Sequence, residues 1–197
     1  MENWFSRAKG IKQQMKKYKV FVFIGEAGSG KDLIVSHLAL TFPEIFHKMI
    51  SYTTRPKRSN EIESEAYHFV TVDMFKQLDM LEQNLFNGWY YGTPVDCLVE
   101  DKINIGVLNP SGAIALSQRE DLDVTIFRLK VRPQTRLIRQ LSRETEPDIE
   151  EIFRRYHADQ KDFEKLYFNY VSFDNNDYAE LQKIIEAVRK IALDKMG

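Results

Sequence analysis

Apolar and polar positions along the chain fall into short runs that alternate between strand-like and helix-like spacing. Val20-Phe21-Val22-Phe23-Ile24 is a continuous apolar run, the pattern of a strand buried on both faces. Leu33 to Leu40 carries apolar residues at helical spacing. His47 to Ser51 reads as a second strand and Tyr67 to Val70 as a short one, while Val72 to Leu81 reads as a helix. Gly88 to Pro94 is aromatic and turn-rich, and Ile103 to Asn109 is again strand-like, with Pro110-Ser111-Gly112-Ala113 opening a short helix. Val124 to Val131 alternates and is β-branched, predicting a central strand that Pro133 ends. Gln134 to Arg143 and Asp148 to Tyr156 read as two short helices joined by the polar turn Glu144 to Pro147, with Asp148 or Thr145 as the cap of the second. A last strand within Phe168 to Asn176 and an amphipathic helix from Tyr178 to about Leu193 close the chain. Strands alternating with helices predict an α/β fold with a parallel sheet.

Between the first strand and the first helix lies Gly25-Glu26-Ala27-Gly28-Ser29-Gly30-Lys31-Asp32. Strand, glycine loop, helix is the context of a Walker A phosphate loop. The glycines let successive N–H groups turn toward phosphate oxygens, the helix start adds its positive dipole end, and Lys31 adds a point charge. Residues 26–32 are therefore the expected nucleoside triphosphate-binding residues. The last position departs from the pattern: Asp32 stands where Ser or Thr is usual. A carboxylate about 4 Å from a phosphate oxygen costs about 4 kcal/mol at an effective dielectric near 20 unless a cation intervenes. Asp32 is thus the expected Mg²⁺ ligand, direct or through water. The plainer reading is that it favours a helix N-terminus.

Composition narrows the partners. With 197 residues and 43% apolar content, the chain is long enough for one domain with a small inserted lobe. A net charge of −1 gives no global basic field for nucleic acid, and Cys97 is the single cysteine, so neither a disulfide framework nor a multi-cysteine metal site is available. No apolar run reaches the ~20 residues of a membrane span, and the N-terminus has no apolar signal core, so a cytoplasmic protein is expected. Residues 1–17, with Lys9, Lys12, Lys16 and Lys17 among apolar positions, form a basic extension. His37, His47, His68 and His157 show no metal-ligand spacing.

The order of motifs resembles the guanylate kinase family of P-loop nucleoside monophosphate kinases. It is carried by the glycine loop, Ser51-Tyr52-Thr53-Thr54-Arg55-Pro56-Lys57-Arg58, Glu61, Tyr67-His68-Phe69-Val70, Glu82 and Tyr90-Tyr91-Gly92-Thr93, over about Tyr18 to Lys190. The resemblance implies a parallel sheet flanked by helices, a small nucleoside monophosphate (NMP)-binding lobe and a helical lid. The expected boundaries are a core of 18–50 and 101–131, a lobe of about 51–98, a lid of about 134–158, and a C-terminal strand and helix over 168–197. It implies that the nucleotide bound by residues 26–32 is ATP and that Lys31 is catalytic. It implies that Ser51, Arg55, Arg58, Tyr67 and Tyr91 hold the acceptor phosphate, that Glu82 reads guanine with Thr93 near the base, and that Arg139, Arg143 and Arg154 are the catalytic arginines of the lid. Two guanidinium forks beside hydroxyls suit a phosphate monoester, and a carboxylate pairs with both N1–H and the N2 amine of guanine. Asp174 or Asn175 is expected near the ATP adenine. The chain also departs from the family pattern: two aspartates, one residue apart, are replaced by Val107 and Asn109. Asn109 stays a candidate acceptor contact that supplies no charge.

The activity implied is transfer of the ATP γ-phosphoryl to GMP or dGMP with Mg²⁺, and no nucleic-acid or membrane partner is expected. Two alternatives stand beside it. One is a guanylate-kinase-like binding module without catalysis. The other is a kinase for another acceptor such as dTMP, for which Val107 and Asn109 leave room.

Overall fold

The computed structural model describes residues 17–57, 61–65, 67–143 and 146–197. Arg58, Thr145 and the basic extension before residue 17 lie outside the described residues.

Nine strands and six α-helices are described: β1 (Tyr18–Ile24), α1 (Lys31–Thr41), β2 (Phe46–Lys48), β3 (Ser51–Thr53), β4 (Tyr67–Phe69), α2 (Val72–Lys76), β5 (Met80–Phe86), β6 (Trp89–Pro94), β7 (Ile103–Val107), α3 (Pro110–Ser117), β8 (Leu122–Lys130), α4 (Pro133–Leu141), α5 (Ile149–Phe163), β9 (Val171–Asp174) and α6 (Tyr178–Met196). They form two sheets. The larger has strand order β2-β7-β1-β8-β9, with every pairing parallel. The smaller has order β4-β3-β6-β5, in which β3–β4 is parallel and the other pairings antiparallel.

Side chains of β1 divide between two cores. Phe21 and Phe23 face Ile34, Val35 and Leu38 of α1 and Ile184, Ile185 and Val188 of α6. Val20, Val22 and Ile24 face Ala113 and Leu116 of α3 and Phe163 of α5. This double burial explains the unbroken apolar run of the sequence. The carboxyl ends of parallel strands, where ligands gather in such sheets, carry the glycine loop after β1, Asn109 after β7 and Asn175 after β9.

Three expectations about elements change. The apolar run from His47 to Ser51 is two strands, β2 and β3, which belong to different sheets. Met49 between them is buried, and its N–H donates to Ile105 O at 2.9 Å, so the chain leaves the large sheet there and enters the small one. The helix expected across Val72 to Leu81 is only α2; β5 follows, so Glu82 lies on a strand. Finally, the aromatic stretch before Pro94 is strand β6, joined to β5 through Asn87 (φ 51°) and Gly88 (φ 79°). Two successive positive φ values match the right-handed twist of a two-residue hairpin.

Candidate active site

The glycine loop is fixed from three sides. Gly28 has φ +80°, and a Cβ there would sit 2.7 Å from the Arg136 carbonyl oxygen, so only glycine fits both the backbone and the approach of α4. Ser29 N–H donates to Glu26 O at 3.0 Å, and the buried Asn175 donates from Nδ2 to Ser29 O at 2.8 Å. Asn175 therefore braces the loop from the end of β9. Gly30 is the N-cap of α1 and makes no side-chain capping bond, so the first-turn N–H groups remain for an anion. Lys31 opens the helix, and Asp32 stands exposed in its first turn.

Side chains from α4 and α5 reach this loop. Arg139 Nη1 donates to Gly28 O at 3.4 Å. Asp159 Oδ2 accepts a 2.7 Å hydrogen bond from Ala27 N–H and lies 3.7 Å from Arg136 Nη1. Burial raises the Asp159 carboxyl above its ordinary range, against the lowering effects of that hydrogen bond, Lys31 and Arg136. Beside the loop, Glu26 Oε1 is 4.0 Å from Arg128 Nη2. The sequence carries little sign of Arg136 or Asp159, whose loop partners stand far away in the chain.

The small sheet collects the acceptor candidates. Arg55 forms a two-pronged ion pair with Glu61, Nη1 to Oε2 at 2.7 Å and Nη2 to Oε1 at 2.5 Å, and lies over the rings of Tyr67 (5.3 Å) and Phe69 (5.2 Å). The Glu61 hydrogen bonds are the main cause that raises the Arg55 pKa. Burial pushes the Tyr67 phenol up to about 12, and Asp32 and then Tyr91 add to the rise. The rings of Tyr67 and Tyr91 meet edge-on at 5.8 Å. Thr93 donates to Glu82 Oε1 at 2.8 Å, so its own oxygen accepts from the Ser51 hydroxyl at 2.9 Å. Burial raises the Glu82 pKa, and the Thr93 hydrogen bonds partly offset it.

Other expected residues are placed differently. Asn109 is the N-cap of α3: its Oδ1 accepts from Gly112 N–H at 2.8 Å and from Ser111 Oγ at 3.0 Å. Only its amide nitrogen remains for a ligand. A Cβ on Gly112 would lie 3.1 Å from Glu82 Oε2 and 3.2 Å from Asn109 Oδ1, so these two side chains flank one small residue. Helix α4 ends at Leu141, short of the Arg143 expected from the sequence: Arg136 and Arg139 lie on it, buried and half-buried, and Arg143 lies beyond it, exposed. On α5, capped by Asp148, Arg154 is gripped by Glu151 (Nε to Oε2 2.6 Å, Nη2 to Oε1 2.9 Å) and lies 4.8 Å over Phe86 of β5. Arg155 shares Glu151 at 2.7 Å. Asp174 is exposed.

An open cleft joins the two halves and is lined by Asp32, Val35, Lys48, Met49, Ser51, Tyr67 and Val107. It runs from the first turn of α1, beside Lys31, to the Arg55–Tyr67 cluster. Lys48 is an unforeseen member: its Nζ donates to Ser36 Oγ at 3.2 Å and to Glu65 O at 2.7 Å. A lysine next to an apolar strand gives no sequence signal of such a role.

Among the described residues, no group of three or more His, Cys, Asp or Glu could hold a metal ion by itself. Asp32 in the cleft is nevertheless a hard oxygen donor beside a phosphate nest. Mg²⁺ commonly binds through one or two carboxylates, substrate phosphates and water, and the donor set fits that habit.

The guanylate kinase family model matches residues 17–192. The chain belongs to the guanylate kinase family. It is similar to the guanylate kinase of Chlamydia trachomatis serovar D, 32% identical over 179 residues that cover 86% of each chain. The guanylate kinase of Chlamydia caviae is 34% identical over 182 residues, covering 88% of this chain and 86% of that one. The crystal structure of guanylate kinase from Anaplasma phagocytophilum shares the fold, with a TM-score of 0.62 at 18% identity, covering 93% of this chain and 89% of that chain. The guanylate kinase family is a family of ATP-dependent phosphotransferases, and the helices described here include none long and apolar enough to cross a membrane.

Proposed function

We propose that this protein transfers the γ-phosphoryl of ATP to GMP or dGMP. The observation that carries this reading is the chain of polar groups Glu82–Thr93–Ser51. It stands beside the Arg55–Tyr67 cluster, at the far end of the cleft that starts at Asp32. The sheet-borne carboxylate accepts from N1–H and N2 of guanine, while the guanidinium and phenol take the phosphate. Adenine offers no such donor pair, and a partly buried carboxylate without partners is costly.

Residues 26–31 cradle the ATP phosphates, and Lys31 follows the migrating phosphoryl group. Arg139 is already at the loop, and Arg143 and Arg154 complete the lid's positive charge as it closes. Arg154 leaves Glu151 to do so. Lid closure also keeps water from the phosphoryl in flight, and positioning with electrostatics suffices for the transfer. Asp32 would hold Mg²⁺, which supplies charge neutralisation at the phosphates when bound. Arg58 is read as a second acceptor-phosphate ligand by family resemblance. Tyr91 would pack the acceptor site, and the Asn109 amide would donate to the acceptor base. The domain reading is a core with an NMP lobe and a lid, in a cytosolic enzyme.

A second acceptor reading draws on Val107 and Asn109: neither brings charge to the acceptor side, so another base such as thymine meets no added repulsion there. ADP release measured across GMP, dGMP, dTMP, AMP and CMP, for wild type and Glu82→Gln, separates the readings. GMP or dGMP should exceed the rest by roughly 10²-fold or more in kcat/KM, and Glu82→Gln should remove most of that preference. A flat profile, or dTMP as best acceptor, rejects the guanine reading. ATP binding without any transfer makes the protein a binding module.

A further inference from the structure

Asp159 belongs to a lid helix, yet its carboxylate ends on the glycine loop. One oxygen, Oδ2, accepts from Ala27 N–H at 2.7 Å and lies 3.7 Å from Arg136 Nη1. Lys31 and Glu26 are close enough to act on the same carboxylate. Arg136 is only 5% exposed, stacked 5.3 Å over Tyr156, and its Nε and Nη1 make no hydrogen bond. A buried guanidinium with idle donors is costly unless another state of the molecule uses them. An anionic oxygen on a loop N–H, beside a lysine and a guanidinium, has the partners a nucleotide phosphate oxygen requires.

We propose that Arg136 is a further phosphate-binding arginine of this site, and that the Asp159 carboxylate holds the place of a nucleotide phosphate oxygen on Ala27 N–H until ATP takes it. This rests on reading the loop as the ATP site. The two anions compete for one N–H, so ATP must displace Asp159. Arg136 Nη1 then turns its idle hydrogen onto the incoming oxygen, without leaving its stack on Tyr156. Asp159 thereby lets the lid rest on the empty loop in the register that the nucleotide will later occupy. A purely structural Asp159 would instead support the loop, and its loss would weaken ATP binding.

The test is calorimetric titration of the full chain with ATP and Mg²⁺, without acceptor. Asp159→Asn should bind ATP at least about 3-fold tighter than wild type, because charge competition is gone. In the Asp159→Asn background, Arg136→Met should weaken binding about 10-fold. Arg136 no longer neutralises Asp159 there, so the loss reports a direct phosphate contact. Equal or weaker binding by Asp159→Asn, or no loss from Arg136→Met in that background, overturns the proposal. A second readout needs no Arg136 variant if that one fails to fold. The Ala27 amide resonance should differ between wild type and Asp159→Asn without nucleotide and converge when both are saturated with ATP. A difference that persists at saturation overturns displacement. Wild type that binds no ATP rejects the underlying reading of the loop instead.

Discussion

Asp32 is the residue whose charge least suits its place, since it faces a loop shaped for phosphate with a carboxylate. At about 4 Å, that repulsion is worth about 4 kcal/mol at an effective dielectric near 20, enough to exclude a nucleotide unless a cation sits between them. The carboxylate also shares the cleft with Tyr67, whose phenol it helps to raise. Asp32→Asn therefore has two opposed consequences. The Mg²⁺ concentration for half-maximal turnover should rise about 10-fold, while ATP without metal should bind more tightly. The Tyr67 phenol, at about 12 in the wild type, should titrate lower in the variant. If Asp32 only favours the helix dipole, thermal stability falls slightly and the Mg²⁺ requirement stays where it was.

At the scale of elements, α5 depends on Glu151 in its first turn. The hydrogen bond from Arg154 is the largest influence on this carboxyl. With Arg155 it outweighs a burial effect in the other direction, holding the pKa at about 2 against an ordinary 4.5. A folded pKa depressed in this way stabilises the helix above the ordinary value, and the contribution disappears as pH falls toward 2. Melting temperatures of wild type and Glu151→Gln should differ at pH 6 and converge as pH falls from about 4.5 to about 2. Curves that stay parallel mean that the ion pairs do not hold α5. The sequence disclosed elements unevenly, for physical reasons. β1, the glycine loop and α1 were legible because an apolar run, positive-φ glycines and helical spacing are all local. β5 was hidden because residues 72–81 keep an apolar pattern across the break at Leu78-Asp79. Its strand character comes from pairing with β6, and Val95 N–H closes the ladder on Asp79 O at 2.9 Å. Of the candidate site, Arg55, Tyr67, Glu82 and Thr93 were expected from the family that the motifs resemble, and the fold gathers them on the small sheet. Arg136 and Asp159 were not, because an arginine and an aspartate on amphipathic helices read as solvated charges until the fold brings them to Ala27.

The whole molecule is two sheets, and in the proposed reading their relative placement sets the distance between donor and acceptor phosphates. Among the described residues, Lys48 makes one polar contact across that boundary, to Glu65 O, and a second within the large-sheet half, to Ser36. It stands at the end of β2 in the large sheet. Its Nζ donates to Ser36 Oγ, one turn beyond Asp32 on α1, at 3.2 Å, and to Glu65 O, in the loop before Tyr67, at 2.7 Å. One ammonium thus ties the helix that begins at the glycine loop to the loop that leads into the Arg55–Tyr67 cluster. Neither tie touches residues 26–31, so ATP binding should not depend on it. In-line transfer should depend on it, because a misplacement of about 1 Å at the reacting atoms is enough to cost about 10²-fold in rate. Lys48→Met keeps the length and apolar stem of the side chain and removes both hydrogen bonds. It should raise KM for the acceptor several-fold and lower kcat about 10-fold, with the Kd for ATP unchanged. Lys48→Arg restores a donor at similar reach and should recover most of kcat. A Lys48→Met enzyme that loses ATP affinity and acceptor affinity in equal measure would show general loosening of the core instead. One with wild-type kcat would show that the sheets keep their spacing without this tie.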